Sequence, residues 1–192
     1  MGLRERNRRA AMHSTQRSAM RLFRERGFAE VTVEEIAAEA GMAASTVFRH
    51  FGTKEAIVIW DEHDAALEAT LRHRLGKQRP FMALRDAFVE TLASRYEADR
   101  EFELDRVQFI YETEALHAAA VEAQFADRDE LTAALADLLS PEHRESAALL
   151  AGAALLALDE AIDRWQRRNG TQPLGDLIGA AFDTLQRMDT LT

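Results

Sequence analysis

Residues Thr32 to Phe51 read TVEEIAAEAGMAASTVFRHF, two short helical patterns on either side of a glycine. Thr32 is placed to cap the first helix, and Glu35, three residues on, to reach back to the Thr32 amide, a capping box that satisfies two orphan backbone donors. That helix starts at about Val33. Ile36, Ala37 and Ala40 form its apolar stripe, and Glu34, Glu35 and Glu39 take the wet side. Gly41 ends it, because only glycine enters the left-handed region without steric cost. Beyond Met42 the pattern restarts: Val47 and Phe51, one turn apart, face inward and leave Ala44, Ser45, Arg49 and His50 outside. An outer face that is first small and then polar and basic fits a major groove about 12 Å wide and brings hydrogen-bond donors to it. The spacing is that of a helix-turn-helix, and the expected partner is double-stranded DNA.

Upstream, Met12, Thr15, Ala19, Leu22 and Phe23 recur at helical spacing in a helix expected from Arg9 to Arg26 and stopped by Gly27. Before it lies a polar stretch with Arg4, Arg6, Arg8 and Arg9. Two readings stand for that stretch: a frayed, solvated segment, or an arm on the DNA backbone or in the minor groove. Downstream, Gly52 stops the recognition helix and Thr53 opens a long connecting helix expected to run to Leu75. Gly76 to Pro80 is a break, after which Phe81 to Ala98 reads as a helix with Leu84, Phe88, Leu92 and Tyr96 on one face. Glu101 to Glu112 and Thr113 to Leu139 read as the next two helices. Ser140-Pro141 opens one that ends at Asn169-Gly170, and Pro173 opens the last, to Met188. The expected fold is all-α: a three-helix DNA-binding domain at residues 1–52, and a six-helix ligand-binding and dimerisation domain at 53–192.

Composition agrees with this class. Hydrophobic types make up 47 % of 192 residues and there are three prolines. Cysteine is absent, so no disulfide, thiolate nucleophile or cysteine-bound metal is possible, which fits a reducing cytoplasm. The longest low-polarity run, Ala147 to Leu158, has twelve residues, short of the roughly 20 that span a bilayer. The arginine-rich beginning has no apolar core of a secretory signal. A net charge of −9 is at odds with DNA binding until it is divided. Residues 1–54 hold ten Lys/Arg against six Asp/Glu, a net of +4, and the remainder holds fourteen against twenty-seven, a net of −13. The basic head is drawn to phosphates and the acidic body repelled by them, which orients the approach.

The stretch Gly27 to Ile57, GFAEVTVEEIAAEAGMAASTVFRHFGTKEAI, resembles the N-terminal signature of the TetR family of transcriptional regulators. The match is in register at Gly27-Phe28, Thr32-Val33, Ile36-Ala37, Ala40-Gly41, Thr46, Phe51 and Lys54-Glu55, with Leu22-Phe23 extending it upstream. The resemblance implies a homodimer with DNA-binding heads and helical ligand domains. It also implies operator contacts from Thr32, the recognition helix and Lys54, and a four-helix bundle built from the last two helices of each subunit. Three departures stand out. Ala43 replaces the serine that commonly caps the recognition helix, removing a cap normally worth about 1 kcal/mol. Phe48 replaces a tyrosine whose hydroxyl would reach phosphate, and Thr15 replaces a larger aliphatic residue.

The candidate DNA contacts are accordingly Thr32, Ala44, Ser45, Thr46, Arg49, His50 and Lys54, with Arg49 on base or phosphate and His50 and Lys54 on phosphate. Trp60, Phe88, Leu92, Tyr96, Phe109 and Phe125, with Glu112 as a polar partner, are the candidates for a ligand cavity, and each equally reads as core. Small residues through Ala147 to Ala161 and Gly175 to Ala181 suit a close-packed bundle. Leu149, Gly152, Leu156, Trp165, Leu177, Ile178 and Phe182 are its expected interface. Glu114 and His117 show one Glu-x-x-His pair, but carboxylate-bridged di-metal chemistry needs a second. Asp61, Glu62, His63 and Asp64 are consecutive and point in different directions on a helix, so no metal and no cofactor is expected. No Gly-x-Ser-x-Gly elbow or phosphate-cradling glycine loop is present, so no catalytic residue is assigned.

The expected activity is that of a ligand-responsive regulator, a repressor released from a near-palindromic operator by a small hydrophobic effector. A transcriptional activator, a non-specific architectural protein and a small-molecule enzyme are the alternatives.

Overall fold

The computed structural model describes residues 2–61 and 65–187, and no strand occurs among them. In chain order the helices are α1 (Leu3–Arg26), α2 (Val33–Glu39), α3 (Ala44–Phe51), α4 (Lys54–Ile59), α5 (Ala65–Leu75), α6 (Pro80–Phe88), α7 (Ser94–Ala98), α8 (Arg100–Glu112), α9 (Glu114–Leu138), α10 (Ala147–Arg167) and α11 (Leu174–Gln186). A π-helical turn, Val89–Ala93, joins α6 to α7, and a 3-10 turn, Pro141–Ser146, leads into α10. The chain gathers into two compact units, Met1–Glu62 with Gln108–Glu122, and His63–Val107 with Ala123–Thr192.

The first unit is built on α1. Helix α1 packs on α2 and α4, and its Met12, Ala19, Met20, Leu22 and Phe23 are buried, as are Val31, Ile36, Val47, Ile57 and Val58. Helix α1 begins at Leu3, so the stretch carrying Arg4, Arg6, Arg8 and Arg9 is helix and neither coil nor flexible arm. The division also falls later than residue 52, because α4 is part of the head: Ile57 and Val58 are fully buried there.

The long helix expected from Thr53 to Leu75 is interrupted. Helix α4 ends at Ile59, and Trp60 turns out of helical geometry at φ −48, ψ 120. The buried amide of Gln16 supplies the reason. Its Nε2 donates to the carbonyls of Ile57 (3.0 Å), Val58 (3.1 Å) and Trp60 (2.8 Å), the oxygens a continuing helix would offer to its next turn.

In the second unit α10 and α11 pack against α6, the π turn and α7. Leu84, Phe88, Leu92 and Tyr96 recur at a strict spacing of four, which drifts by about 40° per step in an α-helix. The wider π turn at Val89–Ala93 takes up that drift, and Leu84, Phe88 and Tyr96 all end buried. Phe182 packs on Phe81 at 4.6 Å and Phe88 at 6.2 Å, and Tyr96 meets Trp165 edge-on at 5.5 Å. Pro141–Ser146 forms a 3-10 turn where an α-helix was expected, and Ser140 does not cap it; all six residues are exposed, so no packed face holds them in a wider helix.

Candidate nucleic-acid interface

The capping box forms as the spacing requires. Thr32 Oγ1 accepts from the Glu35 amide at 3.2 Å, and Glu35 Oε2 accepts from the Thr32 amide at 2.9 Å. Arg26 adds a 2.8 Å ion pair to the same carboxylate. These donors hold the Glu35 pKa down at about 2, the Thr32 backbone bond contributing most.

Helix α2 closes in a Schellman motif. Met42 N–H donates to Ala37 O at 2.8 Å and Gly41 N–H to Ala38 O at 3.1 Å, with Gly41 at φ +67. That turn swings the chain into α3, whose one fully buried residue is Val47. Ser45, Phe48 and Arg49 are exposed, and Ala44, Thr46 and His50 are half-buried. Phe51 is half-buried rather than wholly interior and meets Trp60 edge-on at 6.0 Å. Ala43 offers no side-chain cap to α3. Thr15 fits its fully buried place by donating to Ala11 O at 2.9 Å and lying 3.0 Å from Met42 Sδ.

Two expected DNA contacts are engaged within the head. The Lys54 ammonium donates to the carbonyls of Phe28 (2.7 Å), Ala29 (3.3 Å) and Val31 (3.3 Å). The Thr32 hydroxyl lies 3.0 Å from Glu35 Oε2 as well as accepting the Glu35 amide. Ser45, Arg49 and His50 carry no such tie among the described hydrogen bonds and line the outer side of α3.

The seven expected ligand residues do not form one set. Trp60 belongs to the head, edge-on to His13 at 4.9 Å. Phe109 stacks on Phe23 at 6.0 Å under the Arg24 guanidinium, and Glu112 pairs with Arg24 at 3.0 Å, all within the first unit. Phe125 stands 61 % exposed, with Arg128 over its ring. Phe88, Leu92 and Tyr96 line the π-helical stretch of the second unit.

Sequence reasoning passed over the polar centre of that unit. Arg106 lies 2 % exposed and donates to Glu103 Oε2 from Nε (2.9 Å) and Nη2 (2.6 Å) and to the Tyr96 hydroxyl at 3.1 Å. The i, i+3 spacing of Glu103 and Arg106 is a signal, but the same spacing on a wet face looks identical.

The expected dimer residues also divide. Trp165, Leu177, Ile178 and Phe182 are at most 3 % exposed in the single chain, because α10 and α11 bury them against α6 and α7. Leu149 (77 %) and Leu156 (61 %) stand out from α10, with Gly152 between them. His117 stacks on Tyr111 at 5.4 Å, and of the cluster Asp61 to Asp64 all but Asp61 lie outside the described residues. No helix among the described residues is long and apolar enough to cross a membrane.

A helix-turn-helix with an exposed polar second helix, carried on an all-helical body, defines the class of helix-turn-helix DNA-binding regulators. The family profile for bacterial regulatory proteins of the tetR family matches residues 17–59, and that for the MftR C-terminal domain matches residues 78–189, more than half of the chain. The chain belongs to the TetR family. It is similar to the HTH-type transcriptional regulator TcmR of Streptomyces glaucescens, 35 % identical over 89 residues. That stretch is 45 % of this chain and 39 % of the relative's own length. The solved structure of Thermus thermophilus FadR, a TetR family transcriptional repressor in complex with lauroyl-CoA, is 25 % identical at a TM-score of 0.54. The match covers 92 % of this chain and 93 % of that one. FadR of Bacillus halodurans, a fatty acid degradation regulator, shares the fold at 19 % identity and a TM-score of 0.55, over 90 % of this chain and 96 % of its own.

Proposed function

We propose that the chain is a homodimeric transcriptional repressor of the cytoplasm that binds a near-palindromic operator through α2 and α3 of each subunit and is released by a small hydrophobic effector. The observation that carries the reading is the outer side of α3, where Ser45, Phe48 and Arg49 stand exposed over a buried Val47. Arg49 reads a base edge or a phosphate, Ser45 and Thr46 add short hydroxyls, and Ala44 permits close approach or meets a thymine methyl. His50 sits on phosphate at the end of the helix. Lys54 and Thr32 act by holding α2 and α3 in place, since their polar atoms already have partners inside the head.

The effector is an acyl chain carried on a thioester. The lauroyl-CoA bound by the Thermus thermophilus relative supports this class. Such a ligand favours the DNA-incompetent state by its differential affinity, changing the spacing between two recognition helices that must stand roughly 34 to 36 Å apart.

Selection from a random duplex library tests the reading. The expected product is an inverted repeat whose half-sites lie one turn apart, released by lauroyl-CoA and bound roughly tenfold or more weakly by Arg49→Ala. Recovery of no enriched sequence would overturn it.

A further inference from the structure

The face of α1 that meets the turn between α2 and α3 does not stop where the head stops. Thr15, fully buried, touches Met42 of that turn, and Ala11, whose carbonyl it bonds, lies one turn nearer the start of α1. Residues 4, 8, 11 and 15 follow one another at spacings of four, three and four, so they share one side of the helix. Continued past Ala11, the side that seats on the helix-turn-helix therefore becomes Arg8 and then Arg4, both exposed. At 1.5 Å per residue, Arg8 stands about 10 Å and Arg4 about 16 Å beyond the Thr15 crossing. A seam meant to be covered by protein would continue apolar; this one turns cationic in the overhang beyond the Thr15–Met42 crossing.

We propose that this overhang is a second phosphate-binding element, in which Arg4 and Arg8 reach the backbone flanking the major groove that α3 enters. The proposal rests on the DNA-binding reading above. Its reach suits a groove about 12 Å wide. Helix, in place of a flexible arm, fixes the two guanidinium groups in register with α3 and keeps them on the backbone, where they add affinity without base preference. Arg6 and Arg17 project from the opposite side of α1 and take no part.

The test is the salt dependence of binding to a 30-bp duplex of arbitrary sequence, followed by fluorescence anisotropy with the full chain. Each lost phosphate contact lowers the slope of log Kd against log salt by about 0.9, so Arg4→Ala with Arg8→Ala flattens it by about 1.8 for each head engaged and about 3.6 for a dimer. Arg6→Ala with Arg17→Ala removes the same charge from the other side and leaves the slope within about 0.3 of the parent's, well under the 0.9 of a single contact. The pair Arg4→Lys with Arg8→Lys keeps the parent slope. Alanine preserves helix, which circular dichroism verifies for each variant. An unchanged slope in the first pair, or an equal loss in both alanine pairs, overturns the overhang and leaves the regulator reading standing. A parent chain that binds no duplex at low salt overturns both. A loss confined to A·T-rich duplexes replaces the phosphate contact with a minor-groove arm and overturns it as well.

Discussion

The ammonium of Lys54 lies 2.7 Å from the carbonyl oxygen of Phe28 and 4.5 Å above the centre of the Phe28 ring. Two further carbonyls, of Ala29 and Val31, complete its three donors, so one side chain at the start of α4 closes the turn that joins α1 to α2. Lys54→Met keeps the aliphatic stem and deletes these charge-assisted bonds. The expected cost is about 1.5 to 3 kcal/mol of stability, measured by urea unfolding. A phosphate contact would show instead as a drop of about 0.9 per head in the salt slope of DNA binding, about 1.8 for a dimer, with stability unchanged, and that outcome would return Lys54 to the interface.

Glu35 makes the head sensitive to acid. Its carboxylate accepts from the Thr32 amide and from Arg26, and its pKa lies near 2 where the ordinary value is 4.5. A depressed folded-state pKa stabilises the fold above the unfolded value, and that contribution is lost as pH falls from 4.5 toward 2. Denaturant unfolding across that window should show stability falling with acid more steeply in the parent than in Glu35→Gln, which retains a capping amide without the charge. Parallel curves would reject the assignment.

The helix-turn-helix was legible in the sequence because its determinants are local. Thr32, Glu35 and Gly41 act within one or two turns of themselves, and the capping box and Schellman turn form with those residues in those places. What was not legible depends on partners distant along the chain. Gln16 ends α4 from 41 positions away, and the stretch at Gln108–Glu122 brings Phe109 onto Phe23 in the head instead of into a ligand cavity. Periodicity along α10 and α11 shows which residues are apolar, but not which side the chain itself consumes. Hence Trp165 and Phe182 became core while Leu149 and Leu156 remained outside.

Glu103 and Arg106 form a buried ion pair that also holds the Tyr96 hydroxyl beside the π-helical stretch. Glu103→Ala removes one partner of this buried pair and should cost about 3 to 5 kcal/mol in chemical denaturation. Replacing both partners, Glu103→Leu with Arg106→Met, removes the charges together and should cost markedly less than the single change. A double variant as unstable as the single one would place the contribution in packing and not in the pair.

Leu149 and Leu156 lie seven residues apart on α10, two helical turns, with Gly152 between them and open space above its Cα. Two such strips meeting across a two-fold axis would bring the backbones close at Gly152 and bury four leucines, each contributing roughly 1.5 to 3 kcal/mol on full burial. Residues already inside the protomer add nothing new to such an interface, which moves the weight from Trp165, Leu177, Ile178 and Phe182 to this strip. Leu149→Glu with Leu156→Glu should therefore give a folded monomer, with the helical circular dichroism of the parent and half its mass in sedimentation equilibrium. Operator affinity should fall with it, since one head engages one half-site. Gly152→Leu is a second, independent probe: a Cβ there meets nothing within 4 Å in the protomer, so a loss of dimer with the parent's circular dichroism would be due to the partner. A dimer that survives both changes would exclude this strip as the interface.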